Sequence, residues 1–306
     1  MCGGERELSI GVLILTFNEE ANLPAALESL KGWVERVVVV DSYSTDRTIE
    51  IALAYGCDVL QNSWVSHARQ LNWGLEHGAF RTNWIMRLDA DERVTPRLRD
   101  ALIGSLPGVS EEVCGVYVRR QVHFMGRWIK HGGYYPTWLL RVWRNGAASC
   151  EVRWMDEHMR LERGRSIALR RDIIDENTQS LTWWIEKHNR YAIREAIDLL
   201  HLRKGVLSGR SIPGRFWGQQ SERHRWMKEH IYAVTPPFWR AFAYFLYRYV
   251  LRAGFLDGVP GLIWHFLQGC WYRFLVDAKI HEITRRSRAR DIPLEAAIRE
   301  LYGIDA

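Results

Sequence analysis

The sequence predicts an α/β fold built on a mostly parallel, doubly wound sheet, and three observations carry that reading. Short β-branched apolar runs alternate with helical patterns through the first hundred residues. The runs are apolar at consecutive positions, as in IGVLIL (10–15) and VVVV (37–40), and not at every second one. Acidic residues stand where the runs end. A strand covered by helices on both faces has no solvent side for polar residues, so a continuous apolar run marks a buried parallel strand.

LSIGVLIL (8–15) is the first such run, and a helix follows over about 21–30 with Leu23, Leu27 and Leu30 on one face. RVVVV (36–40) is the second strand. The next helix is expected over 47–55, capped by Ser44 or Asp46 and closed by Gly56. A short run near 58–60 precedes a helix over 67–77, which Gly78 ends. NWIMRL (83–88) is the next strand, and Thr95-Pro96 opens another helix, proline being favoured at the first helical position. From about 113 to 172 the pattern turns to strands, CGVYVRRQVHF and WLLRVWRNGAASCEV, the second broken by the tight-turn pair Asn145-Gly146. Helical periodicity returns from about 176. Residues 201–237 are basic, with seven Lys/Arg against two Glu. Residues 238–285 are rich in Phe, Trp, Tyr and Leu interrupted by Arg, and a helix near 292–302 starts at Asp291 and Pro293.

With 306 residues, 47% of them hydrophobic and 25% charged, the chain suffices for one large domain or two small ones and is not compositionally disordered. Charge is uneven: residues 1–150 carry a net −1 and residues 151–306 a net +7, which points the second part at an anionic partner. The five cysteines are far apart, without a CxxC pair, which suits a reducing compartment and neither a disulfide framework nor a zinc site. His123, His131 and His158 show no metal-ligand spacing. The first apolar run is short and follows acidic as well as basic residues, unlike a signal peptide. The longest charge-free stretch near the C-terminus is about fifteen residues, 258–272. That falls short of the ~20 apolar residues of a spanning helix. The expected location is cytoplasmic, soluble or peripheral.

The chemistry-bearing residues sit at strand ends. The first strand runs into Thr16-Phe17-Asn18-Glu19-Glu20, the second into Asp41, and NWIMRL into Asp89-Ala90-Asp91-Glu92. Open α/β sheets bind ligands in the crevice beyond the carboxyl ends of their strands, so three polar loops converge there. Asp89 and Asp91 would offer oxygens to Mg2+ or Mn2+, hard cations that accept one or two protein carboxylates plus water and phosphate. Asp41 would accept hydrogen bonds from a base or ribose, and Arg69 and Asn72 on the following helix would face phosphates.

TFNEE, VVVVDSYSTDRT, ARQLNWGL and RLDADE resemble, in order and spacing, the donor-binding motifs of inverting family-2 glycosyltransferases with the GT-A fold. The resemblance covers about residues 8–175 and leans toward bacterial lipopolysaccharide-core and capsule or exopolysaccharide enzymes. It implies a catalytic domain over 1–175, with a nucleotide-sugar half (1–112) and an acceptor half (113–175). A helical, basic segment (176–237) and amphipathic helices (238–306) would follow. It also implies that Thr16, Asn18, Glu19 and Asp41 meet the nucleoside, Asp89 the ribose or metal, and Asp91 the metal; Ser44 is a further expected donor-binding residue. The general base would come from Asp156-Glu157. Relatives carry His-Glu or Glu-Asp there, and lining up the Glu favours Glu157. In an inverting transfer the acceptor hydroxyl attacks directly, so a carboxylate within ~3 Å takes its proton and no covalent intermediate is needed.

The expected donor is a nucleotide sugar, taken as uridine-linked, and the expected acceptor a lipid-linked or lipopolysaccharide glycan. Aromatics mixed with Arg over 238–285 have the composition of helices lying in a bilayer interface, which predicts an enzyme held on the inner face of the plasma membrane; the alternative for the same segment is a helical cap packed on the catalytic domain. A polyprenyl-phosphate sugar synthase is the nearest rival. A nucleotidyltransferase would want a Gly-rich basic loop where TFNEE stands, and a Rossmann dehydrogenase would want G-x-G-x-x-G. Nucleic-acid binding would fit the basic pI but explains neither the acidic strand ends nor the aromatic tail, and an inactive nucleotide-binding scaffold is the non-enzyme alternative.

Overall fold

In a computed structural model of the chain, the described residues are 8–151, 158–203 and 235–304. They form two units. One comprises 8–130, 134–151 and 158–178; the other holds 131–133, 179–203 and 235–304.

The first unit is built on β1 (Ile10–Thr16), α1 (Leu23–Glu28), β2 (Arg36–Asp41), α2 (Thr48–Ala54), β3 (Asp58–Gln61), α3 (His67–His77) and β4 (Trp84–Arg87). β5 (Glu92–Val94) and α4 (Pro96–Ser105) follow. Then come β6 (Val113–Phe124), β7 (Arg127–Trp128), β8 (Thr137–Arg144), β9 (Ala148–Cys150), β10 (Met159–Leu161) and β11 (Arg165–Glu176). The main sheet has the order β3-β2-β1-β4-β8-β6-β11-β5, with β7 against β6; β9 and β10 pair separately. β3, β2, β1 and β4 are parallel throughout. Beyond β4 the sheet is mixed: β8 is antiparallel to both β4 and β6, while β6 and β11 are parallel. This is the predicted α/β architecture, with the contiguous parallel run limited to β3, β2, β1 and β4 and one further parallel pair, β6 and β11, in the mixed half.

The continuous apolar runs have the expected cause. Successive side chains on a strand point to opposite faces. Val12 and Ile14 enter a core with Leu23, Leu98 and Leu102, whereas Leu13 packs on the other face with Val40, Leu71 and Trp143. α3 approaches that second face closely through Gly74, where a Cβ would come within 2.9 Å of both Leu13 Cδ1 and Val40 Cγ2. The helix starts are also local chemistry. At α2 the N-cap position is Arg47, which makes no side-chain cap bond; Asp46, one residue earlier, and not Ser44, accepts from Thr48 N at 3.0 Å. Thr95 caps α4 by accepting from Leu98 N, with Pro96 behind it.

The second unit is helical: α5 (Leu181–Arg203), α6 (Trp239–Leu246) with a π-helical continuation Tyr247–Leu251, a 3-10 turn Gly254–Asp257, and α7 (Gly258–Trp264) with a π-helical continuation His265–Trp271. α8 (Tyr272–Arg290) and α9 (Leu294–Tyr302) complete it. Ala192, Ala196 and Ile197 of α5 pack against Val276, Ile280 and Ile283 of α8. Asp277 and Glu195, both buried here, are paired. Asp277 accepts from Phe238 N at 2.8 Å and from the Arg240 guanidinium, and Glu195 accepts from Tyr272 Oη and Arg273 Nη1, both at 2.7 Å.

Candidate active site

The carboxyl ends of β1, β2 and β4 place their acidic loops on one edge of the parallel half-sheet. Asp41, fully buried, ends β2 directly beside the end of β1 and accepts from Thr16 Oγ1 at 2.8 Å. Its other oxygen accepts from Ser44 N at 2.7 Å, and Ser44 Oγ donates to Asp41 while accepting from Asn18 N at 2.8 Å. The side chain of Asn18 in turn accepts from Thr45 N at 2.8 Å, and Glu19 N donates to Thr48 Oγ1 at 2.8 Å. Thr16, Asn18, Glu19, Asp41 and Ser44 are therefore one bonded lattice joining the β1 and β2 loops. The lattice is held under backbone strain: Asn18 has φ 55° and Tyr43 φ 62°. Asn tolerates the left-handed region, but for a bulky residue such as tyrosine it is costly.

Asp89 sits at a second node. Arg87 Nε donates to its Oδ1 at 3.0 Å and Arg141 Nη2 to its Oδ2 at 2.9 Å. Arg141 also bonds Glu92, which accepts from Asp89 N at 3.1 Å, and Arg87 Nη2 lies 3.2 Å from His67 Nε2 at the start of α3. Burial works against charge on Asp89, but the Arg141 and Arg87 guanidiniums outweigh it and hold the carboxyl well below its usual range. Burial pushes Glu92 up to about 8, against the pull of Arg141 and with the help of Asp89 and Asp175. The two carboxyls share one guanidinium and titrate as a pair, with Asp89 the more acidic member.

Asp91 is half-buried, and its carboxylate accepts one hydrogen bond among the described residues, from Asn177 Nδ2 at 3.1 Å, while its backbone oxygen accepts from Glu176 N at 2.9 Å. A hard dication fits this carboxylate, because such ions take one or two protein oxygens and fill the shell with phosphate and water. Both Asp89 oxygens are engaged by guanidiniums, so Asp91 is the freer carboxylate of the two. No cluster of three or more His, Cys, Asp or Glu able to form a closed metal cage occurs among the described residues.

Arg69 and Asn72 differ from each other. Arg69 is exposed, its backbone N–H bonded to the cap Ser66 at 3.3 Å. Asn72, expected to face phosphates, instead turns its carboxamide to the backbone of Cys150: Nδ2 donates to Cys150 O and Oδ1 accepts from Cys150 N, both at 2.9 Å. Asn72 thus clamps the end of β9. One residue further, Glu151 N donates to His158 O at 3.0 Å and the Glu151 carboxylate accepts from His158 N at 3.1 Å. Asp156 and Glu157 lie outside the described residues; Glu151 and His158 are the described residues on either side of them.

Arg141 and Arg87 were not singled out in the sequence, and Glu92 was named there only as part of the acidic strand end, with no role. The signal for Arg141 was present: an arginine inside the apolar strand WLLRVWR must be paired if buried, and it is 3% exposed.

The match to a known family agrees with this geometry. A family model described as Glycosyl transferase family 2 matches residues 11–176. An uncharacterized glycosyltransferase of Rickettsia bellii is 34% identical over 93 residues, which are 30% of this chain and 31% of that protein. The lipopolysaccharide core biosynthesis glycosyltransferase LpsC of Rhizobium meliloti is 27% identical over 286 residues, 90% of this chain and 93% of LpsC. Among solved structures, glucosyl-3-phosphoglycerate synthase from Mycobacterium tuberculosis, in complex with Mn2+, UDP and glucosyl-3-phosphoglycerate, is 24% identical with a TM-score of 0.31. That match covers 38% of this chain and 45% of the synthase. The chain thus spans about a third of the Rickettsia relative and under half of the synthase.

Proposed function

Since the chain belongs to glycosyl transferase family 2, we propose that it transfers a sugar, with inversion, from a uridine-linked nucleotide donor to a lipopolysaccharide-core or other lipid-linked glycan. The observation that carries the reading is the convergence of Thr16, Asp41, Asp89 and Asp91 at the carboxyl ends of three adjacent parallel strands inside the matched segment. The near full-length similarity to LpsC supports the acceptor class.

Asp41, fixed by Thr16 and Ser44, receives the nucleoside, with Asn18 and Glu19 shaping the pocket wall. Asp91 is the ligand for Mg2+ or Mn2+, with Asp89 beside it; the cation, when bound, neutralises the departing diphosphate. Arg87, aligned by Asp89, adds positive charge on the same side, and exposed Arg69 reaches toward phosphate. The acidic pair Asp156-Glu157 supplies the base that takes the acceptor proton, Glu157 being the assigned member. Asn72 contributes by holding Cys150, six residues before Asp156. The enzyme works at the inner face of the membrane.

The test is to mix the protein with Mn2+, a panel of nucleotide sugars and a lipopolysaccharide-core acceptor. Release of nucleoside diphosphate together with an inverted anomeric product supports the reading. Transfer to bare polyprenyl phosphate alone would replace it with a lipid-phosphate sugar synthase, and retention of configuration would overturn the mechanism.

A further inference from the structure

Between residues 239 and 266 the second unit wears its polarity inside out. On α6 and its π-helical continuation, Trp239, Phe242, Leu246 and Val250 recur at three- and four-residue steps, one helical face, and all are exposed, Trp239 at 76%. Arg240 and Arg248, on the opposite face, are buried. α7 and its continuation repeat the inversion: Val259, Leu262 and Phe266 face outward while Trp264 and His265 are buried. Between the two stripes Leu251 is 76% exposed and Asp257 is buried. The Phe245 and Phe266 rings meet edge to face at 5.9 Å, so the stripes lie on adjoining helices.

In water this arrangement is unfavourable twice over, since it buries charge and exposes large apolar side chains. The inward charges are satisfied within the unit. Arg240 pairs with Asp277, Arg248 Nε donates to Gly132 O at 2.7 Å, and Asp257 accepts from His131 N at 2.9 Å. The outward stripes are left to apolar side chains. Exposed Arg252, its Nη1 3.1 Å from Tyr247 Oη, adds the cation and amphipathic ring that belong at a lipid headgroup.

We propose that the face formed by residues 239–266 is an interfacial anchor, inserted lengthwise at the headgroup–acyl boundary of an anionic bilayer. No described helix is long and apolar enough to cross a membrane, so these helices lie along the surface, as amphipathic interfacial helices do. Charge favours a bilayer over a second copy of the chain. Residues 151–306 carry a net +7, which anionic lipid attracts and an identical basic partner repels. The anchor deepens the membrane part of the proposed function and rests on that reading only for the lipid-linked acceptor; the donor chemistry is separate from it.

The experiment is flotation of the full chain with phosphatidylethanolamine/phosphatidylglycerol vesicles at low and high salt, alongside the double variant Leu251→Asp/Val259→Asp. Both side chains are exposed, so the variant should fold, and its unchanged melting temperature and donor cleavage with a water-soluble acceptor check this. Wild type should float at both salt concentrations, because inserted apolar groups are not screened. The variant's bound fraction should fall at least about tenfold. Release of wild type by high salt, or variant binding equal to wild type, overturns the proposal. So does a concentration-dependent dimer that the double substitution dissolves, since a second copy would then cover the face. Flotation as expected without any donor cleavage would sink the transferase reading and leave the anchor standing.

Discussion

At the scale of single residues, Asp91 offers the cleanest separation of chemistry from stability. It is half-buried and its carboxylate accepts one hydrogen bond among the described residues, so Asp91→Ala should cost about 1 kcal/mol of stability. Loss of a metal ligand removes several kcal/mol of transition-state stabilisation, on the order of 10²-fold or more in turnover. Wild-type turnover at saturating Mn2+ would refute the assignment. Glu157→Gln should lower turnover by roughly 10²-fold or more while donor binding, tracked by thermal shift with nucleoside diphosphate, stays nearly constant. If Asp156→Asn is severe and Glu157→Gln mild, the base is the earlier residue. Thr16, Asp41, Asp89 and Asp91 were legible because a strand ends where its apolar run stops, and the polar residues at that point are adjacent in the chain. The Arg141 partnership was not legible. It joins β8 to Asp89, just after β4, and to Glu92 of β5, 52 and 49 positions away, and nothing in either segment names the other.

At the scale of elements, α3 is the member that holds two loops at once. His67 at its start lies against Arg87, and Asn72, about a turn and a half later, grips Cys150. Asn72→Ala should cost about 1–3 kcal/mol through two lost hydrogen bonds and lower kcat more than it raises KM. Asn72→Asp keeps the acceptor for Cys150 N but not the donor for Cys150 O, and should recover only part of both effects. An unchanged kcat in the alanine variant would reduce the clamp to a stability device. α2, α3 and α4 were readable from capping and periodicity, since both are written in neighbouring residues. β5 was missed because its three residues lie inside the acidic DADERV loop and owe their pairing to β11, some 80 positions on. The end of the parallel pattern at β4 was likewise set by β8, not by any property of β4's own apolar run.

On the scale of the whole molecule, the second unit should be acid-sensitive. His188 stacks on Trp184, donates through Nδ1 to Trp184 O at 2.8 Å, and accepts from Gln268 Nε2 through Nε2 at 2.9 Å, which fixes a neutral tautomer. Burial pushes His188 down to about 4; burial first, then the Arg248 charge, push His265 down to about 4 as well. In the unfolded chain each takes up a proton near ~6.5. Stability present above that pH is therefore lost progressively as the pH falls from about 6.5 toward 4, because the unfolded state binds protons first. Near-ultraviolet circular dichroism melts at pH 7.5 and 5 should show the lower melting temperature at pH 5, and His188→Gln should flatten the difference; equal melting at both pH values would contradict this. Mean hydropathy of −0.25 gives no hint of the outward apolar stripes, since an average is blind to which residues face out. With the proposed anchor, the chain would behave as a surfactant, its working concentration counted per area of lipid, not per volume. Turnover on a lipid-linked acceptor should then follow the mole fraction of acceptor within the vesicle: adding bare lipid at constant total acceptor and full binding should slow the reaction by dilution in two dimensions.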